Sequence, residues 1–345
     1  MRFAGMSGAR IDFDVRETRF AVEGGTLAGR LVMPRGQRIV PIVILIHGAE
    51  HDSARDHYAL QRLFPAAGIG AFVYDKRGTG ASGGRYTQDY LMLATDAVAA
   101  VREAKRLAGR RAGRLGYQAG SQGGWVAPLA AKIAPVDFVV VSFGLAVSPL
   151  SAEHESIVHD VLAAEPGTDG STAAAEIAEA EDRLVVSNFR DGYDQLAAAR
   201  RKYGARPWFG HIGTGLTQFL LTNSAETIRT EGPAALTNIP LDYDPIPVLR
   251  HLDTPQLWIL GGEDRDAPPG ETMRRLTTLA NSHRPITAVL FPKAEHGMYE
   301  FETGANGERL STRQPPGYFR MMRDFILKGR IEQSASYGAN NIAPR

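Results

Sequence analysis

The chain has 345 residues, 43% of them hydrophobic, a formal net charge of +1 and no cysteine. That length suits one large α/β domain with an insertion. The near-neutral balance gives no global field for nucleic acid or an anionic membrane, and the lack of cysteine removes disulfides, thiolate metal sites and thiol nucleophiles.

The first dozen residues have no apolar core long enough for a signal peptide, and no stretch approaches the ~18 apolar residues of a membrane span. The cytoplasm is the expected compartment, with a processed export signal upstream left open. Residues 18–22 and 26–33 flank Glu23-Gly24-Gly25 and predict a β-hairpin. Pro41-Ile-Val-Ile-Leu-Ile46 is a continuous apolar run, hence a buried strand. A helix follows over 56–67, with Leu60, Leu63 and Phe64 on one face, then a second short buried strand over 70–74. Residues 89–108 predict a long helix with Leu93, Ala97, Val101 and Ala104 in a stripe. The basic residues from Arg102 to Arg114 read as its solvated face and the following turn. Strands are expected over 114–118 and 137–143. Between them lies a helix over 122–133, bent by Pro128.

The rhythm then breaks. From about Ala146 to Asp244 the pattern is helical and irregular. A loop is expected over 165–172 and an Ala/Glu-rich helix near 173–186. Acidic residues dominate the first half; Arg200, Arg201, Lys202 and Arg206 make the next part basic. After Pro245 the alternation returns, with strands over 256–260 and 287–291 and helices over 270–280 and 318–327. From Ile331 the chain is polar and Asn/Ser/Gly-rich. These elements predict an α/β fold: a mostly parallel central sheet flanked by helices, with an N-terminal β-hairpin. Residues 1–145 and 245–330 form its core, 146–244 a helical cap or lid, and 331–345 a flexible tail.

The chemistry concentrates at Ser121. In Arg114-Leu-Gly-Tyr-Gln-Ala-Gly-Ser121-Gln-Gly-Gly-Trp-Val-Ala127 an apolar run ends, a Gly-flanked serine follows, and a small-residue helix begins. That strand–turn–helix context exposes a nucleophilic hydroxyl. The match to G-x-S-x-G is relaxed, because Ala119 holds the first position. The literal match, Gly80-Ala-Ser82-Gly-Gly84, lies in a polar loop with no apolar helix behind it and is a decoy. A serine nucleophile needs a base, an orienting acid and oxyanion donors. His296, in a loop just past an apolar strand, is the base; His47, His51, His57, His154, His159, His211, His251 and His283 are less well placed. Asp264 is the acid, with Glu263 and Asp266 as rivals in the same turn. The backbone N–H groups of Gln122 and Ala49 are the expected oxyanion donors. Trp125 and Tyr299, beside the catalytic elements, are pocket residues. Trp208 and Phe209 line the pocket or form the core of the insertion. His47 and His51 show the letters His-x-x-x-His without a shared helix face, and Gly78 to Gly83 matches G-x-G-x-x-G without a helix behind it. No metal and no cofactor is therefore expected.

With these residues the chain resembles the α/β-hydrolase fold superfamily. The likeness is carried by His47-Gly48, Asp75-Lys-Arg77-Gly78-Thr-Gly80-Ala-Ser82, Gly120-Ser121-Gln-Gly123-Gly124, Gly262-Glu-Asp264 and His296-Gly297, in the family order Ser, Asp, His. It is similar to bacterial serine esterases and to dienelactone-hydrolase or serine-aminopeptidase-like members. The Asp75–Ser82 loop looks structural there, with Arg77 bracing neighbouring loops, and is assigned no chemistry. Ala119, and His-Gly-Ala-Glu after the first core strand, depart from the commoner pattern. The resemblance implies a carboxylic-ester hydrolase acting through an acyl-enzyme on a small-molecule acyl substrate, in a chain that admits a homo-oligomer. Alternatives on the same triad are a serine aminopeptidase or amidase, anchored by carboxylates such as Glu153 and Glu155, and an acyl thioesterase. A catalytically inactive binding member of the fold is opposed by the intact Ser, Asp and His.

Overall fold

A computed structural model describes residues 2–3, 6–7, 11–213, 215–236, 238–305 and 308–342. The chain divides into two compact units. The first comprises Met1–Ser142, Leu252–Leu257 and Pro316–Tyr337. After the short pair β1 (Arg2–Phe3) and β2 (Met6–Ser7) come β3 (Phe13–Val22) and β4 (Gly25–Pro34). These last two form an antiparallel hairpin turned at Gly24, whose φ of +72° suits glycine. β5 (Val40–Ile46), β6 (Gly70–Tyr74), β7 (Ala112–Gly120) and β8 (Phe138–Ser142) are the short, apolar parallel strands expected of a sheet covered on both faces. β6 and β8 are buried along their whole length. The helices are α1 (Ala54–His57), α2 (Leu60–Ala66), α3 (Tyr90–Ala108) and α4 (Gly123–Ile133), with α12 (Tyr318–Lys328) returning late in the chain. Asp89 caps α3 by accepting the Met92 N–H, and Gly109, at φ +57°, ends it.

The second unit comprises Phe143–His251, Trp258–Pro315 and Gly338–Arg345. It opens with helices α5 (Pro149–Ala164), α6 (Thr168–Val186), α7 (Tyr193–Tyr203), α8 (Gly215–Thr222), α9 (Ala225–Ala235) and α10 (Ile246–Arg250). Ser148 caps α5 and Pro149 occupies its first turn, as favoured at a helix start. α5 to α9 contribute to one core, in which Ile157, Ile177, Leu184, Phe189 and Ile228 are buried. β9 (Gln256–Gly261), α11 (Pro269–Asn281), β10 (Ile286–Phe291), the hairpin β11 (Glu300–Thr303) and β12 (Arg309–Arg313), and β13 (Asn340–Asn341) complete the described elements. The central sheet has nine strands in the order β13-β10-β9-β8-β7-β5-β6-β4-β3. It is mixed and mostly parallel, the α/β architecture that the apolar runs predict. Among the described residues no helix is long and apolar enough to cross a membrane.

Three expectations need correction. The helix expected over 56–67 is two pieces, because Tyr58 takes an extended conformation between them. The loop expected over 165–172 is already helical from Thr168. Gly167, at φ +100°, turns the chain into α6, and the Thr, Asp, Gly and Ser that read as a loop lie in its first turn. The stretch after Ile331 is docked along most of its length. Ile331, Tyr337 and Ala339 are buried, the Tyr337 hydroxyl donates to Asp324, and β13 pairs with β10. Its few apolar residues hold a polar segment in place; residues 343–345 lie outside the described residues.

Candidate active site

In the first unit the elbow forms as its sequence requires. Ser121 sits between β7 and α4 at φ +52°, a left-handed conformation that costs a non-glycine residue on the order of 1 kcal/mol. Its own N–H donates to the Ser142 carbonyl and its carbonyl accepts the Gly124 N–H, so both backbone groups are fixed. The turn is tight. A Cβ on Gly123 would lie 3.0 Å from the Ala119 Cβ and 3.0 Å from the Ile46 carbonyl. Ala119 is tolerated because Gly123 yields the space. A Cβ on Gly48 would meet the Ser121 Cβ at 3.2 Å and a Glu50 oxygen at 2.8 Å. Gly48 thus lets the His47-Gly48-Ala49 turn approach the elbow closely. Gln122 begins α4, and its side-chain Nε2 donates to Gln88 at 2.7 Å. The Ala49 carbonyl accepts the Tyr86 hydroxyl at 2.7 Å.

The His47 ring is buried. Burial lowers its pKa, and its Nε2 accepts the Lys76 backbone N–H at 3.4 Å. It is a core histidine. Among the described residues no group of three or more His, Asp or Glu side chains is arranged to hold a metal. Ser82, the decoy, uses its hydroxyl on backbone, donating to Asp75 O at 2.5 Å and accepting the Ala28 N–H at 2.9 Å. Arg77 forms a buried two-point ion pair with Asp96 and reaches the Glu23 carbonyl, so this loop braces the fold.

In the second unit Asp264 and His296 meet. Asp264 follows β9 and His296 follows β10, in a short 3₁₀ turn whose Gly297 has φ +75°. His296 Nδ1 lies 3.0 Å from each Asp264 oxygen, and the Ala267 N–H donates to Asp264 at 2.8 Å. The carboxylate is fully buried while the imidazole keeps 28% of its side-chain exposure. Burial pushes the Asp264 pKa up, against the hydrogen bond and charge of His296. A carboxylate facing Nδ1 assigns that nitrogen the proton and leaves Nε2 as the basic atom. Phe143 packs edge-on against the imidazole, ring centroids 5.0 Å apart. Glu263 and Asp266 are exposed, and Arg309 holds Glu263 through both its carbonyl and its carboxylate.

The aromatic residues take different places. Trp125 is buried and stacks on Tyr90 at 5.1 Å between centroids. Tyr299 is 42% exposed, and its carbonyl accepts the Glu295 N–H. Trp208 and Phe209 pack within the helical core of α5–α9, where the Trp208 indole N–H donates to Glu165 at 2.9 Å. The carboxylates Glu153 and Glu155 are also engaged there. Glu155 accepts the Glu271 N–H, and Thr217 bridges Glu153 and Glu181.

Sequence reasoning passed over two polar arrangements. One is Lys76, whose ammonium is buried beneath the Gly48 turn. The other is the Asp160–Arg265 pair, at 2.6 to 2.9 Å, with Arg265 directly after Asp264. For Lys76 the available signal is a lysine two residues past an apolar strand. For Asp160 there is none, since its partner lies 105 residues away.

No family model matches the chain, and no curated protein matches its sequence. Solved structures do. Proline iminopeptidase from Mycobacterium smegmatis is 17% identical with a TM-score of 0.53, over 91% of this chain and 98% of that one. An esterase from Pyrococcus furiosus is 14% identical with a TM-score of 0.52, over 84% of this chain and 87% of that one. Acylaminoacyl peptidase from Pyrococcus horikoshii is 15% identical with a TM-score of 0.53, over 91% of this chain. The match spans only 41% of that peptidase's length. Together with the sheet and the elbow, these likenesses show that the chain has the α/β-hydrolase fold.

Proposed function

We propose that the protein is a serine hydrolase cleaving carboxylic esters of small or medium acids. Ser121 Oγ adds to the ester carbonyl as His296 Nε2 takes its proton. The N–H groups of Ala49 and Gln122 hold the oxyanion while the intermediate collapses. The departing alkoxide takes the proton from His296 and leaves as alcohol. Water then adds to the acyl-enzyme by the same route, releasing the acid and restoring Ser121. Asp264 keeps Nδ1 protonated and balances the charge of the imidazolium. The segment 146–244 acts as a lid, with Trp125, Tyr299, Trp208 and Phe209 giving the pocket its shape.

The observation that carries this reading is the Asp264–His296 pair: a buried carboxylate facing Nδ1 of a partly exposed imidazole, in a chain whose serine sits on a left-handed elbow. A fluorophosphonate probe tests it. Wild type should label and Ser121→Ala should not. Acyl p-nitrophenyl esters, thioesters and aminoacyl anilides then separate the chemistries. Amide cleavage is the second reading, since two of the solved structures are named as peptidases. The engagement of Glu155 with the Glu271 N–H argues against its being a free anchor for a substrate amine. A wild type that neither labels nor turns over any of these substrates would leave a binding member of the fold.

A further inference from the structure

The loop after β6 holds a charge that the triad does not use. Lys76 is only 4% exposed, yet it carries an ammonium. Nζ donates to the Gly48 carbonyl at 2.5 Å and stands 3.5 Å from the Gln122 side-chain oxygen. It also lies 5.0 Å over the Tyr86 ring. The Tyr58 hydroxyl is hydrogen-bonded to the Gly48 backbone as well. Gly48 and Gln122 are not arbitrary neighbours. The Gly48 carbonyl belongs to the peptide whose N–H is that of Ala49, and Gln122 supplies the other proposed oxyanion donor.

We propose that Lys76 is a positioning residue for the oxyanion hole: by holding the Gly48 carbonyl, its ammonium fixes and polarises the Gly48–Ala49 peptide so that the Ala49 N–H is presented to the developing oxyanion. In a trans peptide the C=O and N–H point in opposite directions, so a grip on one aims the other. A cation on the carbonyl draws electron density from the N–H and strengthens it as a donor, as hydrogen-bonded chains polarise one another. The Tyr86 hydroxyl on the Ala49 carbonyl fixes the next peptide plane in the same loop. Gly48 lies against the Ser121 Cβ, so this peptide is next to the nucleophile. Burying an ammonium opposes folding, and burial pushes the Lys76 pKa down to about 8, with Glu50 opposing that shift. The titratable groups around it are His47, Glu50, Tyr58, Asp75 and Tyr86. Asp75 is occupied by Ser53 and by the N–H groups of Arg55 and Ala81. Tyr86 is pushed up to about 12 by burial, and His47 is kept neutral by its own burial.

The proposal rests on the ester-hydrolase reading. The experiment compares wild type, Lys76→Met and Lys76→Arg on p-nitrophenyl acetate from pH 6 to 9.5, with fluorophosphonate labelling and inhibition by a butylboronic acid. Lys76→Met should lower kcat about 10- to 100-fold with KM nearly unchanged, less than or equal to the loss of one direct oxyanion donor. Boronate affinity should fall with kcat, because the tetrahedral adduct uses the same N–H. Wild-type kcat should decline as pH rises through about 8, where the ammonium is lost. Lys76→Arg keeps a charge at every pH tested and should remove that decline while retaining more activity than Lys76→Met. A wild-type kcat flat to pH 9.5, or a decline that persists unchanged in Lys76→Arg, overturns the proposal even if Lys76→Met fails to fold. So does a folded Lys76→Met with wild-type kcat at pH 7. An unlabelled, inactive wild type sinks the hydrolase reading together with this one. A labelled, active wild type with an indifferent Lys76 sinks this one alone.

Discussion

Two serines lie in glycine-rich turns of the first unit, and their substitution should have opposite consequences. Ser82 ties the loop after β6 to β4, donating to Asp75 O and accepting the Ala28 N–H. Ser82→Ala strands one backbone acceptor and one donor in a part-buried position. At about 1–3 kcal/mol for each group left unsatisfied, discounted for partial access to water, the loss of stability should be about 2–3 kcal/mol. The rate per folded molecule should stay near wild type. Ser121 is the reverse case. Its φ of +52° is strained for any side chain, so Ser121→Gly should gain about 1 kcal/mol while turnover falls by a factor on the order of 10⁶. Urea midpoints read the first quantity, and p-nitrophenyl acetate hydrolysis corrected for active fraction reads the second. Equal catalytic losses in both variants, with folding intact, would refute the assignment of the nucleophile. A Ser121→Gly protein less stable than wild type would refute the strain.

His296→Ala should match Ser121→Ala in severity and Asp264→Asn should be milder or equal, whereas Glu263→Gln and Asp266→Asn should keep most activity; the reverse pattern in kcat would move the acid to a neighbour. Glu181 is held well above the usual carboxylate range, to about 8, by burial and by the charge of Glu153. The folded state therefore binds a proton that the unfolded chain releases near pH 4.5, so this group's contribution is present at low pH and is lost as pH rises toward 8. Urea midpoints should show Glu181→Gln gaining on wild type between pH 5 and 8, and a constant difference would argue against the buried proton. Trp208→Ala and Phe209→Ala should change preference among acetate, propionate and butyrate esters more than they change labelling of Ser121. An unaltered chain-length profile would make both residues core of the helical segment and nothing more.

The strands were legible because their burial is complete. Runs such as Ile42 to Ile46 and Val139 to Val141 have no polar face to conceal them. The elbow was legible because steric demands fix its small residues locally. Other elements depend on contacts that no local pattern encodes. The hairpin β11–β12, directly after His296, is short, charged and largely exposed, so it lacks an apolar alternation. Cross-strand and tertiary pairs hold it instead: Arg313 on Glu300, Arg309 over the Phe301 ring at 4.2 Å and on Glu263. Tyr58 breaks a helix whose hydrophobic spacing continues through it. The docking of the C-terminal segment depends on Tyr337 finding Asp324, and composition gives no sign of that partner.

The helical segment bears on Asp264, the proposed acid, more directly than a separate lid would. Three neighbouring positions of α5 hold the stretch that carries Asp264. The Ser156 hydroxyl donates to the Arg265 carbonyl at 2.8 Å, Asp160 takes the Arg265 guanidinium at two points, and Glu155 accepts the Glu271 N–H at the start of α11. Arg265 also reaches the His211 carbonyl, and Asp160 accepts the Gly213 N–H, so the segment between α7 and α8 joins the same cluster. The Asp160 carboxylate is 4% exposed and the Arg265 side chain 39%. Loss of Asp160 would therefore leave Arg265 able to rehydrate, while the loop before α11 lost one of its three anchors on α5. The cost would fall on the position of Asp264, one residue away, more than on the stability of the unit. A helical segment joined to this loop in this way cannot change its packing without moving Asp264, one member of the proposed triad.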